Sequence, residues 1–414
     1  MTDQQPLAGR TVIDLTNALA GPYATLLLAG LGASVIKVEN PATGGDPARG
    51  NPPYVGDDGM SLARSEPDDM SVSMLVRGRD KRSVTLNLKD PRGRKVFEDL
   101  VRDADVVVEN YSPGVTERLG IDYEAVREIN PKIVYTSISG FGAQGGGPGS
   151  GKAMDTIIQA LSGVMMTAGE PGEGPVRFGL PIADTLAPLF AVIGTTSALV
   201  QVESTGVGQH VDVSMLGALT SLVACEPFDA LDAVGLPQRT GSTLPRLAPF
   251  GLLPAADGHI ALCAPTDEFA HSVLRAMGRP DLISDPRFHG RDERVQHADE
   301  LHDLIRAWCR ERTVAEALDA LTAEGVAAAE VRGPREAVRD PLVVAREEAV
   351  PVAHPRHGTV TDLMATGLPI RFSAARAGFD RPAPALGEHN DEVYRDLLGY
   401  SEQWIAELAE NKVI

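Results

Sequence analysis

Asp184 follows FGLPIA and opens an apolar run, TLAPLFAVIGTTSALV, that reads as a long helix reaching about Val202. Aspartate is a favoured N-cap, so a purely structural role is one reading. The same setting suits chemistry. The dipole and free N–H groups at a helix start favour the ionised carboxylate. An ionised carboxylate can attack an acyl carbonyl and form a mixed anhydride. Neighbouring N–H groups could then hold the oxyanion. Residue physics alone leaves cap and nucleophile both open. Lys152, one of only seven lysines, follows the glycine-rich loop 141–151, whose backbone N–H groups could face an anion. Glu39 ends an expected strand where a dinucleotide-binding fold places its ribose-binding acid, but the first turn, TNALAGP, lacks GxGxxG. None of the nine histidines has metal-ligand spacing, and no metal site is expected. His354 and His357 flank a Pro-Arg turn and read as a surface loop; Cys263 reads as strand core. There is neither a GxSxG elbow nor a Walker A sequence.

The elements that must position these residues alternate. RTVIDLT, PYATLLLAGLG and ASVIKVEN read as strand, helix and strand, with Pro22 near the helix start and Gly32 after its end. Residues 40–80, rich in Gly, Pro and Asp, read as a long loop. KRSVTLNLK, DVVVENY and KIVYTSISG are further strands, with PRGRKVFEDLVRDA as a helix between the first two. This rhythm predicts a doubly wound parallel sheet. Beyond residue 225 the pattern changes to one strand, GHIALCA, and amphipathic helices such as DELHDLIRAWCRE. The expected organisation is α/β: a large doubly wound domain over 1–224, a second, smaller domain at 225–334, and residues 335–414, which return to strands and end in a helix.

A net charge of -19 argues against nucleic acid or an anionic membrane as the main partner. No stretch approaches eighteen uninterrupted apolar residues, so no transmembrane helix is expected. Three cysteines without paired spacing and an N-terminus without a basic-then-apolar leader point to a reducing, cytoplasmic setting.

An ordered series of motifs carries a resemblance over nearly the whole chain. GRTVIDLTNALAGPYATLLLAGLGASVIKVENP, DKRSVTLNLKDPRGR, ADVVVENYSPGVTERLGIDYEAV, YTSISGFG, GLPIADTLAPLFAVIG, GVGQHVDVSM, SDPRF and LGEHNDEVYRDLLG resemble, in this order, the family III CoA-transferases. That family includes formyl-CoA transferase, carnitine CoA-transferase and the α-methylacyl-CoA racemase. The resemblance implies a Rossmann-like large domain made from both chain ends, with 335–414 as the return segment that completes it, a smaller α+β domain, 225–334, inserted between, and an interlocked ring dimer in which each chain threads the other. It implies coenzyme A or acyl-CoA as substrate, with no permanently bound cofactor, and a carboxylic acid as the other substrate. Asp184 matches the family's catalytic aspartate. Ala20, Leu86, Lys89, Asn110, Tyr111, Arg118, Lys152 and Met215 match CoA-contacting positions.

The sequence also departs from the family's best-known branches. Asn17 and Leu19 stand where formyl-CoA transferase has His and Gln, and GSTLPRLAPFG replaces its run of glycines. Met154, not His, precedes Asp155, so the racemase's two-base mechanism lacks a proton carrier. Asp155 is either a supporting carboxylate or a helix cap. Arg246 is a candidate to pair with the second carboxylate of a dicarboxylic acid. The implied activity is transfer of CoA from a thioester to a free acid through an aspartyl-CoA intermediate. The alternatives are an acyl-CoA racemase or epimerase, or a catalytically silent acyl-CoA-binding protein.

Overall fold

Six strands form one parallel sheet in the spatial order Lys81–Thr85, Ser34–Glu39, Thr11–Asp14, Val106–Glu109, Val134–Ser139, His210–Ser214. Numbered along the chain this is 3-2-1-4-5-6, the Rossmann order. The computed structural model describes residues 4–148, 152–244 and 246–414; the end of the glycine-rich loop, 149–151, lies outside them. Val12, Ile13, Val35, Ile36, Val106, Val107 and Val134 are fully buried because helices cover both faces of the sheet.

The chain divides into two compact units. The larger holds Met1–Ser162, Gly179–Leu222 and Val338–Ile414, and the smaller holds Gly163–Phe178 and Val223–Ala337. Residues 163–178, assigned from sequence to the large domain, thus belong to the smaller unit. Arg239 fastens them there, donating to the carbonyls of Glu173 and Gly174. The smaller unit has an antiparallel sheet, Phe250–Pro254, His259–Cys263 and Ala327–Glu330, packed on helices Asp267–Ala276, Ala298–Arg310 and Val314–Ala323.

Several local expectations are corrected. Residues 40–80 are not one loop. Tyr54–Gly56 pairs antiparallel with Gly59–Ser61 and Met70–Ser71, and the helix Val72–Arg77 follows, with the Ser71 hydroxyl accepting from Met74 N–H. Val55, Met70, Met74 and Leu75 bury against Val352, Val360 and Ala383 of the return segment. Cys263 is exposed, because the period-2 alternation of its strand turns Ile260 and Leu262 inward instead. His354 is buried at a strand end, its Nδ1 accepting from the backbone N–H groups of Arg356 and His357. The C-terminal helix is two pieces, a π-helical turn Glu392–Leu397 and the helix Glu402–Glu410. The helix Ile182–Thr205 is long and apolar enough to cross a membrane by length and composition. In this fold it packs on the helix Ala20–Gly30 and on the strands Val134–Ser139 and His210–Ser214.

Candidate active site

In this strand order the connections leave Thr11–Asp14 and Val106–Glu109 in opposite directions, so the loops beyond the two strand ends part and leave a crevice. A cavity of about 300 Å³ opens there. Its walls are Ala18–Ala20 after the first strand, Asn110–Pro113 after the fourth, Ile138–Phe141 at the end of the fifth, Ala153–Thr156, Asp184 and Met215.

The first turn is held from both sides. Asn17 N–H donates to Asn110 Oδ1 (2.8 Å), and Asn110 Nδ2 donates back to the Asn17 carbonyl (2.9 Å). Ala18 has a φ of 65°, which costs a non-glycine residue on the order of 1 kcal/mol or more, and its N–H donates to Asp46 Oδ1 (2.9 Å). Gly21 is required by close approach, since a Cβ there would lie 2.3 Å from Thr16 Cβ. Beneath the turn is a buried ionic network. Lys81 Nζ lies 3.0 Å from Asp14 and donates to the Pro22 carbonyl (2.9 Å); Lys37 Nζ lies 2.8 Å from Asp46 and donates to the Thr16 carbonyl (2.9 Å). Burial opposes the charge on Asp14, but Lys81 and Lys37 hold its carboxyl well below the usual range. The network ties backbone carbonyls of the turn to the sheet, so the cleft wall is set before any ligand arrives.

Asp184 is not the N-cap. Pro181 occupies that place, with no side-chain cap, and Asp184 is the third helical residue. The acceptor for the helix start comes from elsewhere: Asp155 Oδ1 accepts from Ala183 N–H (2.9 Å), while its Oδ2 accepts from Gln159 Nε2 (2.8 Å). Asp155 is therefore a cap in trans as well as a wall of the cleft. Burial, with the neighbouring Asp155 charge adding and Arg77 opposing, pushes Asp184 up to about 6. The expectation that the helix start keeps this carboxylate fully ionised is thus corrected, although at pH 7 the anion still predominates by roughly ten to one.

The cleft gathers Leu19, Ala20, Asn110, Tyr111, Met154, Asp155, Asp184 and Met215, and Asn17 braces it through Asn110. Burial pushes the Tyr111 hydroxyl up to about 12, so it stays a neutral donor. Arg118 is exposed and, like Lys89 and Lys152, is not among the cavity's lining residues; its guanidinium lies within about 3 Å of where a side chain on Gly114 would begin. Lys89 and Lys152 are exposed and line no part of the cavity. Leu86 is buried in the core, its N–H donating to the Glu39 carbonyl. Arg246 belongs to the smaller unit and pairs with Glu226 at 2.9 Å. Glu39 is no ribose acid: its carboxylate accepts from Arg49 (2.8 and 2.7 Å), Ser83 (2.6 Å) and Asp46 N–H (3.0 Å). Sequence reasoning missed Ala18, Asp46 and Arg77. No motif marked them, because each acts through a partner distant along the chain. Among the described residues no group of side chains could hold a metal ion.

The order of the strands defines a Rossmann-like α/β protein with a carboxylate pair, Asp155 and Asp184, in its switch-point crevice. The chain belongs to the CoA-transferase family III, whose model matches residues 7–390. It is 36% identical over 413 residues to succinyl-CoA–D-citramalate CoA-transferase of Chloroflexus aurantiacus, covering 99% of this chain and 98% of that protein. It is 34% identical to succinate–glutarate CoA-transferase of Agrobacterium fabrum, covering 96% and 98%. A crystal structure of a CaiB/BaiF family protein from Brucella suis matches with a TM-score of 0.80 and 31% identity, over 95% of this chain and all of that one. The protein is a transferase, and CoA thioesters and carboxylic acids fit as its substrates.

Proposed function

We propose that this CoA-transferase works through covalent intermediates on Asp184. The observation that carries the reading is the placement of Asp184, half-buried at the start of the long helix and lining the switch-point cleft. An Asp184 oxygen attacks the thioester carbonyl; the C–S bond breaks, leaving an aspartyl-acyl anhydride and CoA thiolate. The thiolate attacks the Asp184 carbonyl carbon, the anhydride C–O bond breaks, and the first acid leaves as its carboxylate. The product is an aspartyl-CoA thioester. The acceptor carboxylate attacks that thioester, forming a second anhydride and freeing the thiolate. The thiolate then attacks the acceptor's acyl carbon and restores the Asp184 carboxylate. Every step exchanges one carboxyl derivative for another, so the cycle needs no redox or metal cofactor.

The CoA chain runs, in this reading, over Ala20, Asn110, Tyr111 and Met215, with Arg118 and Lys152 toward its phosphates. Met154 has no titratable group, which favours transfer over racemisation: no deuterium is expected at the α-carbon of a 2-methylacyl-CoA in deuterated water. The active form is a homodimer, interlocked as in the family, and the setting is cytoplasmic. The apolar stripe Leu189, Ile193 and Val200, exposed along the long helix, supports a partner-covered face. The test of the mechanism is intact-mass analysis after incubation with an acyl-CoA. A mass gain of CoA less one water, mapped to the Asp184 peptide, is expected. Turnover with no such adduct, even under rapid quench, would refute covalent catalysis. A screen of acyl-CoA donors against free acids then identifies the pair used.

A further inference from the structure

Gln159 lies one turn beyond Asp155 on the helix Asp155–Leu161, and its side chain is fully buried. Its Nε2 donates to Asp155 Oδ2 (2.8 Å) and to the Leu180 carbonyl (3.1 Å). A carboxylate and a carbonyl only accept, so the amide nitrogen and not the amide oxygen must face them. The two contacts stand on either side of a chain crossing. The chain leaves the larger unit after Ser162 and re-enters it at Gly179. One amide therefore ties the outgoing helix to the incoming segment, just ahead of the helix Ile182–Thr205. The Leu180 carbonyl also accepts from Ile182 N–H (2.9 Å), and the other Asp155 oxygen accepts from Ala183 N–H (2.9 Å). Ala183 directly precedes Asp184, so Asp155 holds the backbone from which the Asp184 side chain springs, and Gln159 holds Asp155. Asp155 and Asp184 line the same cavity, and Gln159 is not among its lining residues.

We propose that Gln159 is a positioning residue for the transfer reaction: it locks the Asp155 carboxylate in the orientation that holds Ala183, and so fixes the direction in which Asp184 meets the thioester carbonyl. The inference rests on the reading above in which Asp184 is the nucleophile. A carboxylate gripped through one oxygen can swing about that bond. Gripped through both, by Ala183 on one side and Gln159 on the other, it cannot. Attack on a carbonyl demands a defined approach, and a misplacement of about 1 Å costs on the order of 100-fold in rate. Gln159 touches no substrate in this account. It acts through Asp155 and the helix start.

The test is Gln159→Met, which keeps the length of the side chain and removes its donors. Steady-state turnover and the single-turnover rate of CoA adduct formation on Asp184 are measured with succinyl-CoA at pH 8, well above the Asp184 pKa of about 6. Both rates are expected to fall roughly 10- to 100-fold. The dissociation constant for CoA, read by calorimetry, should stay within about twofold, because the loss is one of nucleophile placement and not of ligand contacts. A double-mutant cycle separates this from a general loosening of the fold. In an Asp155→Ala background, Gln159→Met should slow adduct formation by no more than about twofold, since the group through which it acts is gone. Gln159→Glu keeps the shape but sets a second carboxylate against Asp155 Oδ2. It should lose at least as much rate, and it carries the test if the Met variant does not fold. Wild-type rates in these variants, an equal loss in both backgrounds, or a loss explained by weaker CoA binding overturns the proposal. If the wild type forms no adduct on Asp184, the covalent mechanism fails and this inference with it. A wild-type adduct beside unaffected Gln159 variants overturns the inference alone.

Discussion

Asp184 shows a conflict between chemistry and stability that two measurements can expose. Burial and Asp155 raise its pKa, so the folded state holds a proton that the unfolded chain releases between about pH 4 and 6. Stability contributed by this group therefore falls as pH rises across that window, and the penalty is fully present above it. Asp184→Asn should accordingly be more stable than wild type at pH 8, by about 1–2 kcal/mol after allowance for partial solvent access, while losing essentially all transfer. Urea denaturation and a turnover assay read the two effects. A destabilised, active variant would contradict both assignments. In the wild type, kcat/KM for acyl-CoA should rise about tenfold per pH unit below about 6 and level off above it, because only the anion attacks. If Arg118 grips the CoA phosphates as proposed, Arg118→Ala should weaken CoA binding by about 1.5–3 kcal/mol, but weaken a pantetheine thioester much less, as calorimetry with both ligands would show.

The helix Ile182–Thr205 is the element on which the site depends, and it begins without a cap of its own. Pro188 has no N–H, so the Asp184 carbonyl also lacks its usual partner four residues on. Asp155, at the start of the helix Asp155–Leu161, supplies the missing cap by accepting from Ala183 N–H, and leaves the Asp184 carbonyl as it is. Asp155→Ala should destabilise the protein by about 1–2 kcal/mol through loss of that acceptor. Asp155→Asn retains an oxygen for Ala183 and removes the charge. It should keep most of the stability and move the pH–rate curve toward acid, since Asp155 is a cause of the raised Asp184 pKa. Chemical denaturation and the pH profile of the two variants separate the cap from the charge. A profile that does not move in either variant would mean that burial alone raises Asp184.

For the whole molecule, the prediction concerns assembly. Ile193 and Val200 are 60% and 72% exposed on a helix whose other side packs into the α/β core. Ile193→Asp combined with Val200→Asp should leave the sheet intact, because neither side chain contributes to the core. It should reduce dimer formation, read by sedimentation or light scattering. A wild type that sediments as a single chain at micromolar concentration would remove the support this face gives to the interlocked dimer.

Much of this was legible along the chain because it is written in near neighbours. The strands of the large sheet follow from β-branched runs, and the helix carrying Asp184 from an apolar stretch behind GLPIAD. The ordered motifs named the family and, through it, Asp184 and the cleft residues Ala20, Asn110, Tyr111 and Met215. Other features depend on contacts between segments far apart. Composition made residues 40–80 a loop, but Val55, Met70 and Leu75 become core only when Val352, Val360 and Ala383 arrive from the far end of the chain. Asp184 looked like its own helix cap until folding brought Asp155 to Ala183. Its raised pKa, and the placing of Arg77 where Asp184 feels its charge, are likewise products of tertiary structure. Local sequence sets backbone preference and side-chain chemistry. Desolvation and charge–charge coupling depend on what surrounds a group in space, and only the folded chain supplies those surroundings.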